Sequence, residues 1–398
     1  MKKVLIYFSE FNRALGGGEV TPLSFIAELQ KSCEVTLAVN WRSDVAHAVE
    51  VLGIPVDTAK LRIEYVKPAG RIMRRLDAIL PFYRTWRLKK LAKHADVCIS
   101  TVNMFDFGKP AYHFVYLLRQ FGDNAFLDHL HGRPALRGMA LFRRKLRTML
   151  GEKLLRPMLG VRSTRSILAD PREHIYPTSR YVERVMREFY GDFNSTVFYP
   201  PTLFEFSAAA SERDPFKVVF LGHIFPEKRL QEIIGIVEKA REFSGLDLKL
   251  SLAGPLVISS YVERIRAVAA ERSWLQLVGP LYGDDKEKFL LSGTYAVHAE
   301  RDEAFGISVT EYLKGGLVPL VPDDGGTREI VNDPELTYHT VEEGARILAH
   351  LAADAAFLAS KRAHCAGRAE VFSKQAYLEN QHELLAAILA ESESEARS

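Results

Sequence analysis

Apolar runs such as KVLIYF, EVTLAV and DVCIST recur along the chain, each followed by a stretch with helical periodicity, and midway the series halts and begins again. Short apolar runs without polar alternation fit strands buried on both faces. Parallel strands need crossover helices between them, which the intervening stretches supply. The halt is FYPPTLFEFSAAASERDPF, where Pro200, Pro201 and Pro215 stand among small and charged residues and read as an interdomain linker. From Lys217 a second series opens with KVVFLG, DLKLSLAG, LQLVG, TYAVHA and LVPLVP. The expectation is two open α/β domains whose parallel sheets face a central cleft, over residues 1–204 and 205–372. A chain of 398 residues is long enough for two such cores. A last helix over 373–391, capped at Ser373, is expected to return to the first domain, and the charged end 392–398 to stay flexible.

Composition excludes several classes. At 47% hydrophobic and 26% charged residues the chain reads as globular, and it holds no run of 18 apolar residues to cross a bilayer. MKKVLIYFSEFNRAL starts basic, but its apolar run reaches charge at Glu10 and Arg13, too soon for a secretory signal. Cys33, Cys98 and Cys365 lie far apart without metal-ligand spacing, which fits a reducing cytoplasm. The net charge of +3 is small but uneven: between Arg133 and Arg165 stand ten basic residues and one acid, Glu152. A second basic stretch runs over 71–94. ALFRRKLRTMLGEKLLRPMLGV, inside the first of these, alternates basic and apolar residues. It fits a surface helix lying on an anionic leaflet as well as one packed on its own domain. No aromatic-rich binding motif accompanies the charges, so nucleic acid is not an expected partner. The expected location is cytoplasmic, with a peripheral position on the cytoplasmic membrane face.

In an open α/β sheet, ligands gather beyond the carboxyl ends of the strands, which singles out three loops. EFNRALGGGEV follows the first strand. Gly16, Gly17 and Gly18 let backbone approach an anion closely, and the next helix offers unpaired N–H groups. Neither the dinucleotide fingerprint nor a P-loop is complete here, and a flexible connection explains the glycines equally well. FLGHIFPEKRLQEII follows the first strand of the second series. Lys228 stands at a helix start, where a cation opposes the dipole unless an anion lies nearby; a solvated lysine is the plainer alternative. The third loop is in HAERDEAFGISVTEYLKGG, a strand end, a loop and a helix closed by Gly315 and Gly316. The amides of Phe305, Gly306, Ile307 and Ser308 there are free to face a diphosphate. Glu303 and Glu311 stand eight positions apart, so two turns of helix, roughly 11 Å, separate carboxylates suited to hydroxyls at opposite ends of one ligand. Helix glutamates are ordinarily surface residues; the placement between strand and helix sets this pair apart. Gly325 and Gly326 in DDGGTREI follow the next strand and are expected to face the same cleft.

HAERDEAFGISVTEYLKGGLVPLVPDDGGTREIV resembles the E-x7-E signature of family 4 retaining glycosyltransferases, which have the GT-B fold of two Rossmann-like domains. The glycine loop, IYPTSRYVERVMREFYG before FYPP, FLGHIFPEK and LAGP occur in the family's order. The resemblance is nearest to the mannosyltransferases that extend lipid-linked oligosaccharides from GDP-mannose. It implies transfer of a hexose with retention, mannose from GDP-mannose ahead of UDP-linked sugars, to a glycan or lipid-linked glycan. It also implies roles: Glu303 on the donor sugar hydroxyls, Lys228 on the leaving diphosphate, Glu311 on the ribose, and Phe305, Gly306, Ile307 and Ser308 on the diphosphate through backbone. Gly17 and Gly18 close from the first domain, and Gly222 and His223 line the donor site. No metal and no cofactor is implied, so Asp284 with Asp285, and Asp323 with Asp324, are read as a helix start and a loop. Tyr116 and His131 fall on the acceptor side, where members commonly carry a histidine. The chain departs from the family at His223 and Phe225, where many members have arginine, so that one guanidinium is missing unless Arg229 replaces it. A nucleotide-sugar epimerase and a non-catalytic nucleotide-sugar-binding member are the alternatives.

Overall fold

The computed structural model of the chain describes every residue except 12–16, 41–43, 68–79, 117–154, 208–212, 257–258 and 398. Two compact units emerge: Met1–Pro201 together with Leu378–Ser398, and Thr202–Tyr377.

The first unit runs β1 (Lys2–Tyr7), α1 (Val20–Leu29), β2 (Cys33–Val39), α2 (Val45–Leu52), β3 (Arg62–Tyr65), α3 (Leu80–Ala92), β4 (Val97–Ser100), β5 (Tyr112–Val115), α4 (Thr164–Leu168), β6 (His174–Pro177) and α5 (Arg180–Tyr190). Its strands lie in the order β3-β2-β1-β4-β5-β6, every neighbouring pair parallel. Val4, Leu5, Ile6 and Tyr7 are all buried, as are Val97, Cys98, Ile99 and Ser100, because helices cover both faces of the sheet. The chain moves outward from β1 through β2 to β3 and returns on the far side of β1 as β4. The carboxyl ends of β1 and β4 thus flank a topological switch point. The Gly17–Glu19 turn and the start of α1 follow β1 there.

The second unit repeats the logic with β7 (Lys217–Leu221), α6 (Leu230–Ser244), β8 (Lys249–Ala253), α7 (Ser260–Ala270), β9 (Leu275–Gly279), α8 (Gly283–Leu291), β10 (Tyr295–Val297), α9 (Ile307–Lys314), β11 (Val318–Pro322), α10 (Thr327–Val331), β12 (Thr337–Tyr338), α11 (Val341–Ala353) and α12 (Ala355–Val371). The order β12-β11-β10-β7-β8-β9 puts the switch between β7 and β10, which pair in register Tyr295 to Val218 and Ala296 to Val219. β11 tolerates Pro319 because the β10 bonds use its neighbours. Val318 N–H donates to Thr294 and the Leu320 carbonyl accepts from His298, while β12 pairs only from Val321 onward. Thr340 and Glu343 form a reciprocal capping box that starts α11.

The last helix, α13, spans Lys374–Arg397, with Ser373 Oγ accepting the Ala376 N–H at 3.2 Å. It continues through residues 392–397, which the sequence was expected to leave flexible. Glu, Ser, Ala and Arg carry adequate helix propensity there, and Lys2 ties the end down by donating to Ser392 Oγ at 2.7 Å and pairing with Glu393 at 3.2 Å. From Leu378 on, the helix belongs to the first unit, where Gln381 bonds Ser24 and His382 Nδ1 meets Glu28 at 2.9 Å. Among the described residues, no helix is long and apolar enough to cross a membrane.

Candidate active site

At the β7–β10 switch point, the loops after the two central strands bring a cation and two carboxylates together. After β7, the chain makes a single tight turn, Pro226–Lys228, before α6. After β10, residues 298–306 form a loop that ends at Gly306, whose φ of +111° and Thr327 methyl, 2.5 Å from where a Cβ would stand, exclude any side chain. Lys228 Nζ lies 2.5 Å from Glu303 Oε2 and 2.5 Å from Glu300 Oε2. Lys228 and Glu303, two of the residues singled out in the sequence, are thus in contact. Glu300, which the sequence did not single out, is the second carboxylate. It stands three positions before Glu303 in the same loop, and that acid-rich spacing was its one sequence signal.

Charge and burial set the proton affinities. Burial works against the Lys228 ammonium, yet Glu303 and Glu300 beside it hold it well above the usual lysine range. Burial also works against the Glu303 carboxylate, but the Lys228 charge outweighs it and keeps the carboxyl well below its ordinary value. Glu300, pushed up first by burial and then by the Glu303 charge, reaches about 7. One ammonium therefore serves two acids unequally. His298, the residue after β10, is 1% exposed, and its Nε2 lies 3.5 Å from Glu303 Oε2. Burial lowers its proton affinity, so the ring is neutral. One ligand atom from each of His298, Glu300 and Glu303 lies within 4.8 Å of the others, a spacing that suits a metal ion. The Lys228 ammonium, already against both carboxylates, competes with any cation for them.

Glu311 stands only just over one turn into α9, which starts at Ile307, so Glu303 lies in the loop and two helical turns do not separate the pair. Glu311 is 7% exposed and pairs with Lys286 of α8 at 2.6 Å, the ammonium also lying 4.2 Å from the Phe204 ring centroid. The first-turn amides of α9, at Ile307 and Ser308, lack intrahelical acceptors by the geometry of any helix start. Phe305 turns its ring inward, 4% exposed and edge-on to Phe372 at 5.8 Å. Gly222 N–H donates to Ala253 at the end of β8. His223 stacks on Phe225 with 4° between ring planes and 5.4 Å between centroids. Its Nδ1 is buried without a partner among the described residues, and burial, then the Lys228 charge, lower the proton affinity of the ring. Arg229 does not stand in for a guanidinium beside Lys228. Its own backbone is left-handed, φ +51°, and its side chain pairs with Glu232 at 2.7 Å, an acid that Arg301 shares at 2.8 Å. Asp284 and Asp285 lie in the first turn of α8, and Asp323 pairs with Arg328 at 2.7 Å.

In the first unit, Gly17 and Gly18 form the turn before α1, and a Cβ on Gly18 would meet nothing within 4 Å. Tyr116, just past β5, donates from its hydroxyl to Thr21 of α1 at 2.7 Å, and burial raises its proton affinity. The structure thus brings Tyr116 beside the helix that follows the glycine turn. His113 is structural: fully buried, its Nε2 lies 2.8 Å from Glu173, which also takes the Ala111 N–H and the Arg162 guanidinium. His131, Gly16, and most of the basic stretch 133–165, along with 71–79 of the other, lie outside the described residues.

Residues 204–370 match the family model described as glycosyl transferases group 1. A GDP-Man:Man(3)GlcNAc(2)-PP-Dol alpha-1,2-mannosyltransferase from Candida glabrata is 30% identical over 145 residues, which cover 33% of this chain and 29% of that relative's length. Among solved structures, Anabaena HepE in complex with UDP and glucose superposes with a TM-score of 0.64 at 12% identity, covering 98% of this chain and 100% of that one. WaaG, a glycosyltransferase involved in lipopolysaccharide biosynthesis, gives 0.65 at 13% identity over 96% and 99%. Sucrose-phosphate synthase from Thermosynechococcus elongatus gives 0.66 at 14% identity over 98% and 100%. The chain has the GT-B fold, and its match to the glycosyl transferases group 1 model falls within the second unit, Thr202–Tyr377.

Proposed function

We propose that the protein is a retaining glycosyltransferase that moves a hexose from a nucleoside diphosphate sugar to a glycan or lipid-linked glycan. The observation that carries this reading is the contact of Lys228 with Glu303 at the switch point of the second sheet. An anionic diphosphate arriving there competes for the ammonium, and the carboxylate it releases accepts hydrogen bonds from sugar hydroxyls. The first-turn amides of α9 add donors for the same diphosphate. Glu311, held by Lys286, is assigned to the ribose. Gly17 and Gly18 are assigned to the diphosphate, and Tyr116 to the acceptor side. As the bond from the anomeric carbon to the diphosphate oxygen breaks, Lys228 stabilises the charge on the departing group. That oxygen takes the proton of the acceptor hydroxyl, which bonds to the anomeric carbon on the same face. Charge neutralisation by Lys228 requires no metal or cofactor.

Mannose from GDP-mannose is the donor we favour, on the strength of the mannosyltransferase relative. A UDP-sugar is the second reading, favoured by the UDP-glucose complex of HepE, a fold neighbour at 12% identity. We further propose a cytoplasmic enzyme with peripheral membrane contact. The described part of its basic surface includes α3, where Trp86 is exposed with the Lys90 ammonium 3.8 Å from its ring centroid. Thermal unfolding against GDP, UDP, ADP and their sugars tests the central reading. A ligand at 100 times its dissociation constant adds about 2.7 kcal/mol, and one base is expected to stand out. With that donor, Glu303→Ala is expected to abolish transfer in a folded protein. Wild-type turnover in that variant, or no shift with any nucleotide, overturns the proposal.

A further inference from the structure

His298 is held in place more firmly than its side chain explains. Its backbone N–H donates to Leu320 at 2.9 Å, and its carbonyl accepts the Tyr338 hydroxyl at 2.7 Å. These bonds fix the backbone of the residue and burial encloses its ring, yet both ring nitrogens are buried without a hydrogen-bond partner among the described residues. A buried imidazole with neither its donor nor its acceptor satisfied is costly, and native interiors rarely keep one without a use. Its Nε2 aims at Glu303 Oε2 from 3.5 Å, beyond hydrogen-bonding length. That oxygen is the one Lys228 holds at 2.5 Å.

Under the function proposed above, the diphosphate draws the Lys228 ammonium toward itself as the donor binds. Two neighbouring carboxylates then lose their shared cation while Glu303 has to stay aimed at the sugar. We infer that His298 is a positioning residue whose Nε2–H closes onto Glu303 Oε2 when Lys228 moves to the diphosphate, fixing the carboxylate for the sugar hydroxyls. Glu300 needs no such partner, because its high proton affinity lets it take up a proton instead. Glu303 has to stay ionised to accept from the sugar hydroxyls, and once Lys228 has moved, a donated N–H is what favours its charged form against burial. The inference rests on the reading of the site as a sugar-nucleotide site, and names the residue that keeps the acid in place during turnover.

Two variants test it with the donor the nucleotide panel selects, GDP-mannose or UDP-glucose. His298→Leu keeps the volume and removes the donor; His298→Gln restores an N–H near the Nε2 position. In His298→Leu, kcat is expected to fall by roughly 100-fold, the loss typical of a misplaced reacting group. Its affinity for GDP or UDP alone should remain within about 2-fold, since the diphosphate contacts are intact. The acid limb of its pH–rate profile should move upward, because Glu303 has lost a group that favours its charged form. His298→Gln should recover most of kcat. Wild-type kcat in His298→Leu, or a His298→Gln as slow as the leucine variant with equal loss of nucleotide affinity, reduces His298 to packing and overturns the inference. Turnover that depends on added Mn²⁺ or Zn²⁺ in the wild type and not in His298→Leu makes the ring a metal ligand and overturns it too. If the wild type itself binds no nucleotide and turns over no donor, the function proposed above fails first and takes this inference with it.

Discussion

Glu300 and Glu303 compete for one ammonium, and the competition has a pH signature. The folded Glu300 carboxyl ionises near 7, against 4.5 for an unperturbed glutamate. Between those values the native chain holds a proton that the unfolded chain has released. The stability this proton contributes is complete below the lower value and is lost as pH rises through the upper one. Glu300→Gln stays neutral throughout. Relative to wild type it should therefore gain about 2 kcal/mol of stability between roughly pH 5 and pH 8. Urea unfolding at the two ends of that range measures the gain, and an unchanged difference between variant and wild type would show that Glu300 is ionised throughout. The sequence shows why Lys228 and Glu303 were legible and Glu300 and His298 were not. The first two stand just after strand ends with a helix following, a placement that local pattern reveals. Glu300, Asp302 and Glu303 differ little as residues in a loop, and only the pairing of β10 beside β7 selects which of them meets Lys228.

At the scale of elements, the glycines separate into those the fold needs and those it leaves open. Gly325 has φ +77°, and a Cβ there would lie 2.5 Å from the Arg301 carbonyl oxygen and 3.2 Å from the Glu303 nitrogen. The loop after β11 is pressed, backbone on backbone, against the loop that carries Glu303, with Gly326 N–H donating to the Glu303 carbonyl at 2.7 Å. Gly325→Ala combines a left-handed backbone with a backbone clash, and should cost about 3 kcal/mol. Gly18→Ala, which meets no atom within 4 Å, should stay within about 1 kcal/mol of wild type. Denaturant midpoints of the two variants measure the contrast, and equal losses would contradict it. In the sequence these glycine clusters look alike, and the pair at 325 and 326 carries only the expectation that it faces the cleft. Close approach of two loops is a tertiary fact without a local signature. The β–α alternation, by contrast, was plain throughout, because strands buried on both faces leave uninterrupted apolar runs.

For the whole molecule, the last helix ties the end of the chain to its first unit. Leu385 and Ile388 are 2% and 1% exposed, and Gln381, His382, Glu391 and Glu393 make polar contacts with Ser24, Glu28, Tyr112 and Lys2. Ending the chain after Tyr377 removes all of these at once. Two buried aliphatic side chains are worth about 1.5–3 kcal/mol each, and the exposed ion pairs add little. The loss to the first unit should then be about 5 kcal/mol, a large fraction of what a domain of this size holds in reserve. The second unit, Thr202–Tyr377, keeps every residue of its sheet and the whole Lys228, Glu300 and Glu303 cluster. Scanning calorimetry of the truncated chain should accordingly show one transition moved well down in temperature and another near its original place. The retained transition is the one expected to rise with the selected nucleotide, since the ligand stabilises the unit that binds it. A single transition, falling as a whole and no longer responsive to nucleotide, would mean that the helix supports the donor site as well as the first unit's core.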